Sequence, residues 1–149
     1  MSTATDIEGF VKKYTPELAA KLRASRRKLR ALVPRGYEFV YDNYNSLVFG
    51  FGPTERPSEA LVSLAAFPEW VTLCFIFGKR LADPKKLLRG TGSQVRSVRL
   101  AGPADLDTPA IRALLGQALA TPGFSVAPKL KTVIRSISAK QRPRRPKSG

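Results

Sequence analysis

Between Val33 and Tyr37 the spacing of apolar residues changes period, and this switch restricts the fold more than any motif in the chain. Upstream, Leu18, Leu22, Ser25, Leu29 and Leu32 recur in steps of four and three, one stripe of an amphipathic helix. Thr15 stands as its N-cap, and Pro16 takes the first helical position, where a missing N–H costs nothing. Glu17 sits in the favourable first turn, and Pro34 stops the helix. A shorter helical stretch is expected over Asp6 to Tyr14. Past Pro34-Arg-Gly36 the period is two: Tyr37, Phe39 and Tyr41 alternate, Asp42-Asn-Tyr-Asn45 supplies turn residues, and Leu47, Phe49 and Phe51 alternate again. That pattern predicts a hairpin lying against the helix.

Three further strands are predicted: Ala60 to Phe67, Trp70 to Phe77, which is central by its nearly continuous apolarity, and Val95 to Leu100. Asp83-Pro84-Lys-Lys-Leu-Leu88 reads as a capped helical turn. A last helix begins at Asp105 or Asp107, with Leu106, Ile111, Leu114, Leu115, Ala118 and Leu119 on one face. Leu130, Val133, Ile134 and Ile137 fit a helical turn docking back on the body. The order predicts an α+β fold: an antiparallel sheet of about five strands with N- and C-terminal helices on one face. The expected organisation is a single domain over 1–137 and a disordered, Pro- and Arg-rich tail over 138–149. A chain of 149 residues, 43% of them hydrophobic, can bury a core without disulfides or metal. Its one cysteine, Cys74, reads as a small buried hydrophobe. The apolar run around Cys74 is too short to span a membrane, and the first residues lack the layout of a signal peptide, so a soluble, cytoplasmic protein with no membrane association is expected.

Histidine is absent, which removes Ser-His-Asp and Cys-His pairs and every His-containing metal site; one cysteine removes Cys-only sites. No cofactor is expected. Glu38 and Asp42 stand four apart and can point the same way, but no nucleophile lies beside them, so a non-enzymatic protein is expected. The formal charge is +15, with +10 of it on residues 1–137, which points to negatively charged company: an anionic small molecule or an acidic protein partner. Non-specific nucleic-acid binding is the alternative. Its candidates are Lys21, Arg23, Arg26, Arg27, Lys28 and Arg30 on the helix, with Arg142, Arg144, Arg145 and Lys147 in the tail.

Gly90-Thr-Gly92-Ser, flanked by Arg89 and Arg96, invites comparison with a phosphate loop. It leads from a turn into a strand and lacks the lysine, so a nucleotide-triphosphate loop is not indicated. Two readings stay open. Gly90 and Gly92 serve as a helix C-cap and a turn, or they let an anion approach backbone amides beside Arg89 and Arg96. Arg96 shares a strand face with Val98 and Leu100, so it needs a partner: either a carboxylate such as Glu38, Asp42 or Asp83, or a ligand. The candidate pocket at the sheet edge combines Tyr37, Glu38, Asp42, Tyr44 and Trp70 with Arg89, Gly90, Gly92 and Arg96.

The run Leu81-Ala-Asp83-Pro84-Lys-Lys-Leu-Leu-Arg-Gly90-Thr-Gly92-Ser-Gln-Val-Arg96, following Val71-Thr-Leu-Cys-Phe-Ile-Phe-Gly78, resembles the YdhG-like domain family. The likeness covers about Leu18 to Leu119. Tyr41-Asp-Asn-Tyr-Asn45 with Leu47 to Gly52 resembles one of its subgroups. The family is a group of small bacterial proteins of largely unknown function, similar in fold to frataxin and including a proposed iron chaperone. The resemblance implies a frataxin-like α+β sheet flanked by helices. Frataxin-type iron binding is attributed to an acidic ridge on the first helix and adjoining strand. The corresponding helix here is basic and repels cations, which leaves iron delivery as a second alternative.

Overall fold

The structure is a computed structural model that describes residues 2–147; residues 1, 148 and 149, the ends of the expected domain and tail, lie outside the described residues. Helix α1 (Thr3–Val11) starts at Ser2, whose hydroxyl accepts from the Thr5 N–H at 3.1 Å. Helix α2 (Pro16–Leu32) starts as predicted, with Thr15 Oγ1 accepting from the Leu18 N–H at 3.3 Å. It buries Leu18, Ala19, Leu22, Ser25 and Leu29. Strands β1 (Tyr37–Asp42), β2 (Leu47–Gly52), β3 (Val62–Ala66), β4 (Val71–Phe75) and β5 (Arg96–Leu100) follow, each antiparallel to the one before. A 3₁₀ turn at Pro103–Asp107 occupies the expected helix start, so α3 (Pro109–Ala118) begins later than the sequence indicates.

The sheet has six strands, not five, and is mixed. Its order is β5-β4-β3-β2-β1-β6, and the last strand, β6 (Lys131–Ile137), runs parallel to β1. The apolar residues around Leu130 to Ile137 thus form an edge strand and not the expected helical turn. Backbone pairing at the strand entry carries that outcome: the Gly36 N–H donates to the Pro128 carbonyl at 2.8 Å, and the Lys131 N–H donates to the Gly36 carbonyl at 3.0 Å. Only glycine fits at position 36, because φ is +104° and a Cβ would lie 2.4 Å from the Gly52 carbonyl oxygen. The Asp83 turn is capped but not helical: its carboxylate accepts from the N–H groups of Leu87 and Leu88, and Lys86 adopts φ 52°.

All three helices cover one face of the sheet. Val40, Leu47, Phe49, Phe51, Leu64 and Leu73 point into that layer, together with Leu22, Leu29, Leu114 and Leu115 from the helices. On β1 the helix-facing residues are Glu38, Val40 and Asp42, so the aromatic alternation of Tyr37, Phe39 and Tyr41 lies on the opposite, helix-free face. There the strand registers align two rows. Phe39, Gly50, Ser63, Cys74 and Ser97 make one, and Tyr41, Val48, Ala65, Thr72 and Arg99 make the next. Phe39 is buried on this face beside Gly50, with the Tyr37 ring stacked on it at 6.2 Å.

Described residues 138–147 of the expected disordered tail are held to the body. Ser138 and Arg142 donate backbone N–H groups to the carbonyls of Asp42 and Tyr44, each at 2.8 Å, and the Gln141 amide donates to the Asp42 carbonyl at 2.9 Å. Arg144 is buried, with Nη2 3.0 Å from Asp42 Oδ1. Composition indicated disorder here, but a buried ion pair, two backbone bonds and the side-chain bonds of Gln141, Arg144 and Arg145 hold the segment in place.

Candidate anion-binding cleft

Glu38 and Asp42 share the covered face of β1, as their spacing allows, and both are fully buried. A buried carboxylate is tolerated only when it is paired and hydrogen-bonded, and each of these is. Arg26 binds Glu38 in a bidentate fork, Nε at 2.8 Å and Nη2 at 2.9 Å. Arg30 Nη1 reaches the same carboxylate, and the Thr132 hydroxyl donates to it at 2.7 Å. Asp42 takes Lys13 Nζ at 2.6 Å and Arg144 on its other oxygen. Burial pushes the Asp42 carboxyl up, but the hydrogen bonds from Lys13, Gln141 and Arg144 together outweigh it and hold the group below the usual carboxylate range. Beside Asp42, burial raises the Tyr14 phenol to about 12; its hydroxyl donates to the Ala66 carbonyl at 2.7 Å and accepts from the Leu47 N–H at 3.2 Å.

Above Glu38 an open cleft of about 650 Å³ runs between α1, α2 and β6. Its charged wall is Arg23, Arg26, Arg27 and Arg30, with Glu8 and Thr132 opposite and Ile7, Val11 and Leu22 beneath. The four arginines stand at i, i+3, i+4 and i+7, which places them on one stripe of α2. Glu8 takes the Nε and Nη2 of Arg23, and the hydrogen bond from Arg23 lowers its pKa. Arg26 lies with its guanidinium 4.8 Å from the centre of the Phe49 ring, which fixes its plane. Arg27 makes no ion pair among the described residues. Four guanidiniums against two carboxylates leave a surplus of positive charge, and several N–H groups stay available to a ligand. The spacing of these arginines was the sequence signal for this cleft. Reading these arginines with Lys21 and Lys28 as one nucleic-acid face hid it.

The pocket expected from the sequence does not assemble. Glu38 and Asp42 lie on β1, whereas Arg89, Gly90, Gly92 and Arg96 lie at the β5 edge, four strand steps or about 19 Å away. Arg96 does occupy the covered side expected of it, but its partners are carbonyls and not a carboxylate: Nη1 donates to Gly92 at 2.6 Å and to Val95 at 2.8 Å. Those oxygens take the place an anion would occupy. Gly90, at φ +131°, turns the chain so that the backbone of Arg89 pairs with Ser97. Tyr37 is on the helix-free face, and Tyr44 is exposed in the hairpin turn beneath Arg142. Trp70 lies at the far side of the sheet beneath Arg99.

Of the residues proposed for nucleic acid, Arg23, Arg26 and Arg30 hold carboxylates, Lys28 pairs with Asp107, and Arg144 is buried on Asp42. Arg145 donates to the Lys13 carbonyl at 3.2 Å. Lys21, Arg27 and Lys147 make no ion pair among the described residues. Cys74 is half-buried on the helix-free face, outside the helix-covered core, and burial raises its thiol pKa. Among the described residues, no three Cys, Asp or Glu side chains come together to hold a metal ion, and no helix is long and apolar enough to cross a membrane. Compared with known proteins, the chain matches no family model, no curated protein and no solved structure.

Proposed function

We propose that this chain is a non-enzymatic binding domain whose ligand is a small anion seated on Arg23, Arg26, Arg27 and Arg30. The observation that carries the reading is that the buried Glu38 orients Arg26 and Arg30, with the Phe49 ring behind Arg26 and Glu8 on Arg23, before any ligand arrives. Arginine forks match carboxylate and phosphate oxygens two at a time, and side chains already held in place lose little entropy on binding. We place the domain with the frataxin-like, YdhG-like proteins, a placement supported by helices on a single face of the sheet and by the motifs around Asp83 and Gly90.

Thermal unfolding with phosphate, pyrophosphate or citrate, at ionic strength matched with sodium chloride, tests the reading. A ligand present at a hundredfold over its Kd stabilises by about 2.7 kcal/mol, roughly 5–10 °C in Tm for a domain of this size. Arg27→Ala, which removes an exposed side chain with no ion pair, is expected to lose most of that shift while unfolding normally without ligand. Equal shifts in the two proteins, or none with any of the three anions, would refute it.

A further inference from the structure

The helix-free face and its β5 edge combine two features that the arginine cleft leaves unexplained. The first is charge. Residues 79–99 carry seven Lys and Arg against one Asp, and none of the seven makes an ion pair among the described residues. The one acid, Asp83, is engaged in capping the backbone of Leu87 and Leu88. On the helix-free face of the strands no carboxylate appears at all, because Glu38 and Asp42 turn the other way.

The second feature is shape. The middle of this face is floored by Gly50, Ser63, Ala65, Thr72 and Cys74, small side chains interrupted only by Val48, and the half-buried Tyr37 and Tyr41 rings stand along one side, over the buried Phe39. On the other side stand Trp70 and Arg99, the guanidinium 3.9 Å from the ring centre, with Arg89 beside them lining the same hollow of about 780 Å³. A flat, exposed guanidinium backed by an indole offers a stacking surface and phosphate donors together.

We propose that single-stranded nucleic acid lies across this face, its phosphates on Arg89, Arg99 and the neighbouring basic loop and its bases in the trough. A density of unpaired cations this high matches a polyanion with a charge on every unit. Aromatic walls around a floor of small side chains match unstacked bases. A duplex, whose bases are already stacked and paired, gains nothing from the trough. The site is independent of the arginine cleft, which lies on the other side of the sheet.

Trp70 is the only tryptophan of the chain, so its emission reports on this face alone. The experiment titrates the full chain with a labelled twelve-nucleotide oligouridylate and with a duplex of equal length, following anisotropy and Trp70 emission at several salt concentrations. The expected result is a change in Trp70 emission that saturates together with the anisotropy, and at least tenfold tighter binding of the single strand than of the duplex. In the Arg89→Ala/Arg99→Ala variant, which alters exposed side chains only, the log–log salt slope should fall by about 1.4, that is about 0.7 for each lost phosphate contact on a single strand. Anisotropy without any Trp70 response, an unchanged slope in the variant, duplex bound as tightly as single strand, equal displacement by polyglutamate, or no binding at all would each overturn the proposal. Lys140→Ala, an exposed charge that lines neither hollow, should leave every one of these readings unchanged.

Discussion

Replacing Arg144 by alanine deletes a guanidinium that is almost completely shielded and that joins a terminal segment to the hairpin turn: Nη2 holds Asp42 at 3.0 Å, and its other bonds go to the carbonyls of Asn43 and Tyr44. Removing one partner of a buried ion pair costs about 3–5 kcal/mol. Two details pull the figure to the lower end. Lys13 Nζ stays on the other carboxylate oxygen at 2.6 Å, and Arg144 Nε is itself buried without a hydrogen-bond partner, a penalty the variant relieves. The expected loss is therefore about 3 kcal/mol, or roughly 6–12 °C in Tm for a chain of this length. Thermal and urea unfolding followed by circular dichroism measure it, with Lys140→Ala as the control, since exposed substitutions usually stay within about 0.5 kcal/mol. Deleting residues 138–149 should cost at least as much as Arg144→Ala. A melting temperature within a degree of the parent for Arg144→Ala, or an equal loss in Lys140→Ala, would refute the claim that this segment is bound.

The pH dependence follows from the same carboxylate. Because Asp42 has a folded pKa below its unfolded value of about 3.9, its contribution is fully present above that value and is lost as pH falls through the folded pKa. Urea titrations should show stability falling as pH is lowered below about 4, and falling less steeply in Arg144→Ala; stability that rises on acidification would contradict the pairing. Tyr14→Phe strips a buried hydroxyl that serves the Ala66 carbonyl and the Leu47 N–H, so it should cost about 1–3 kcal/mol in the same assay; a neutral result would mean that those backbone groups find other partners.

Where apolar residues repeat over a long window with a cap at the start, the sequence is readable. α2, with Thr15, Pro16 and the Leu18–Leu29 stripe, forms as its pattern dictates, and the Asp42–Asn45 turn joins β1 to β2 as a hairpin. β6 is not readable by the same means. Its register against β1 shifts between Ile134 and Ser136, leaving Arg135 unmatched, and that bulge breaks the alternation that marks a strand. Pairing across most of the chain leaves no local trace either. The candidate cleft failed for a related reason: Arg26 and Arg30 look like solvated charges until the strand carrying Glu38 is laid beneath them. Arg96 shows the converse case, where the predicted face is right but backbone carbonyls took the role assigned to a carboxylate.

The parallel docking of β6 also orders events during synthesis. Its Thr132 hydroxyl closes the Glu38 cluster from a position 94 residues further along the chain. While a ribosome is still making that intervening stretch, the hairpin and α2 can fold, yet one border of β1 offers bare N–H and C=O groups and Glu38 lacks its threonine. Non-local closure of this kind is slow, and an open border is where strands from two nascent copies join. Pro128 and Lys131, which zip onto Gly36, are thus the residues whose arrival starts to pair the bare border of β1 and moves the open edge of the sheet out to β6.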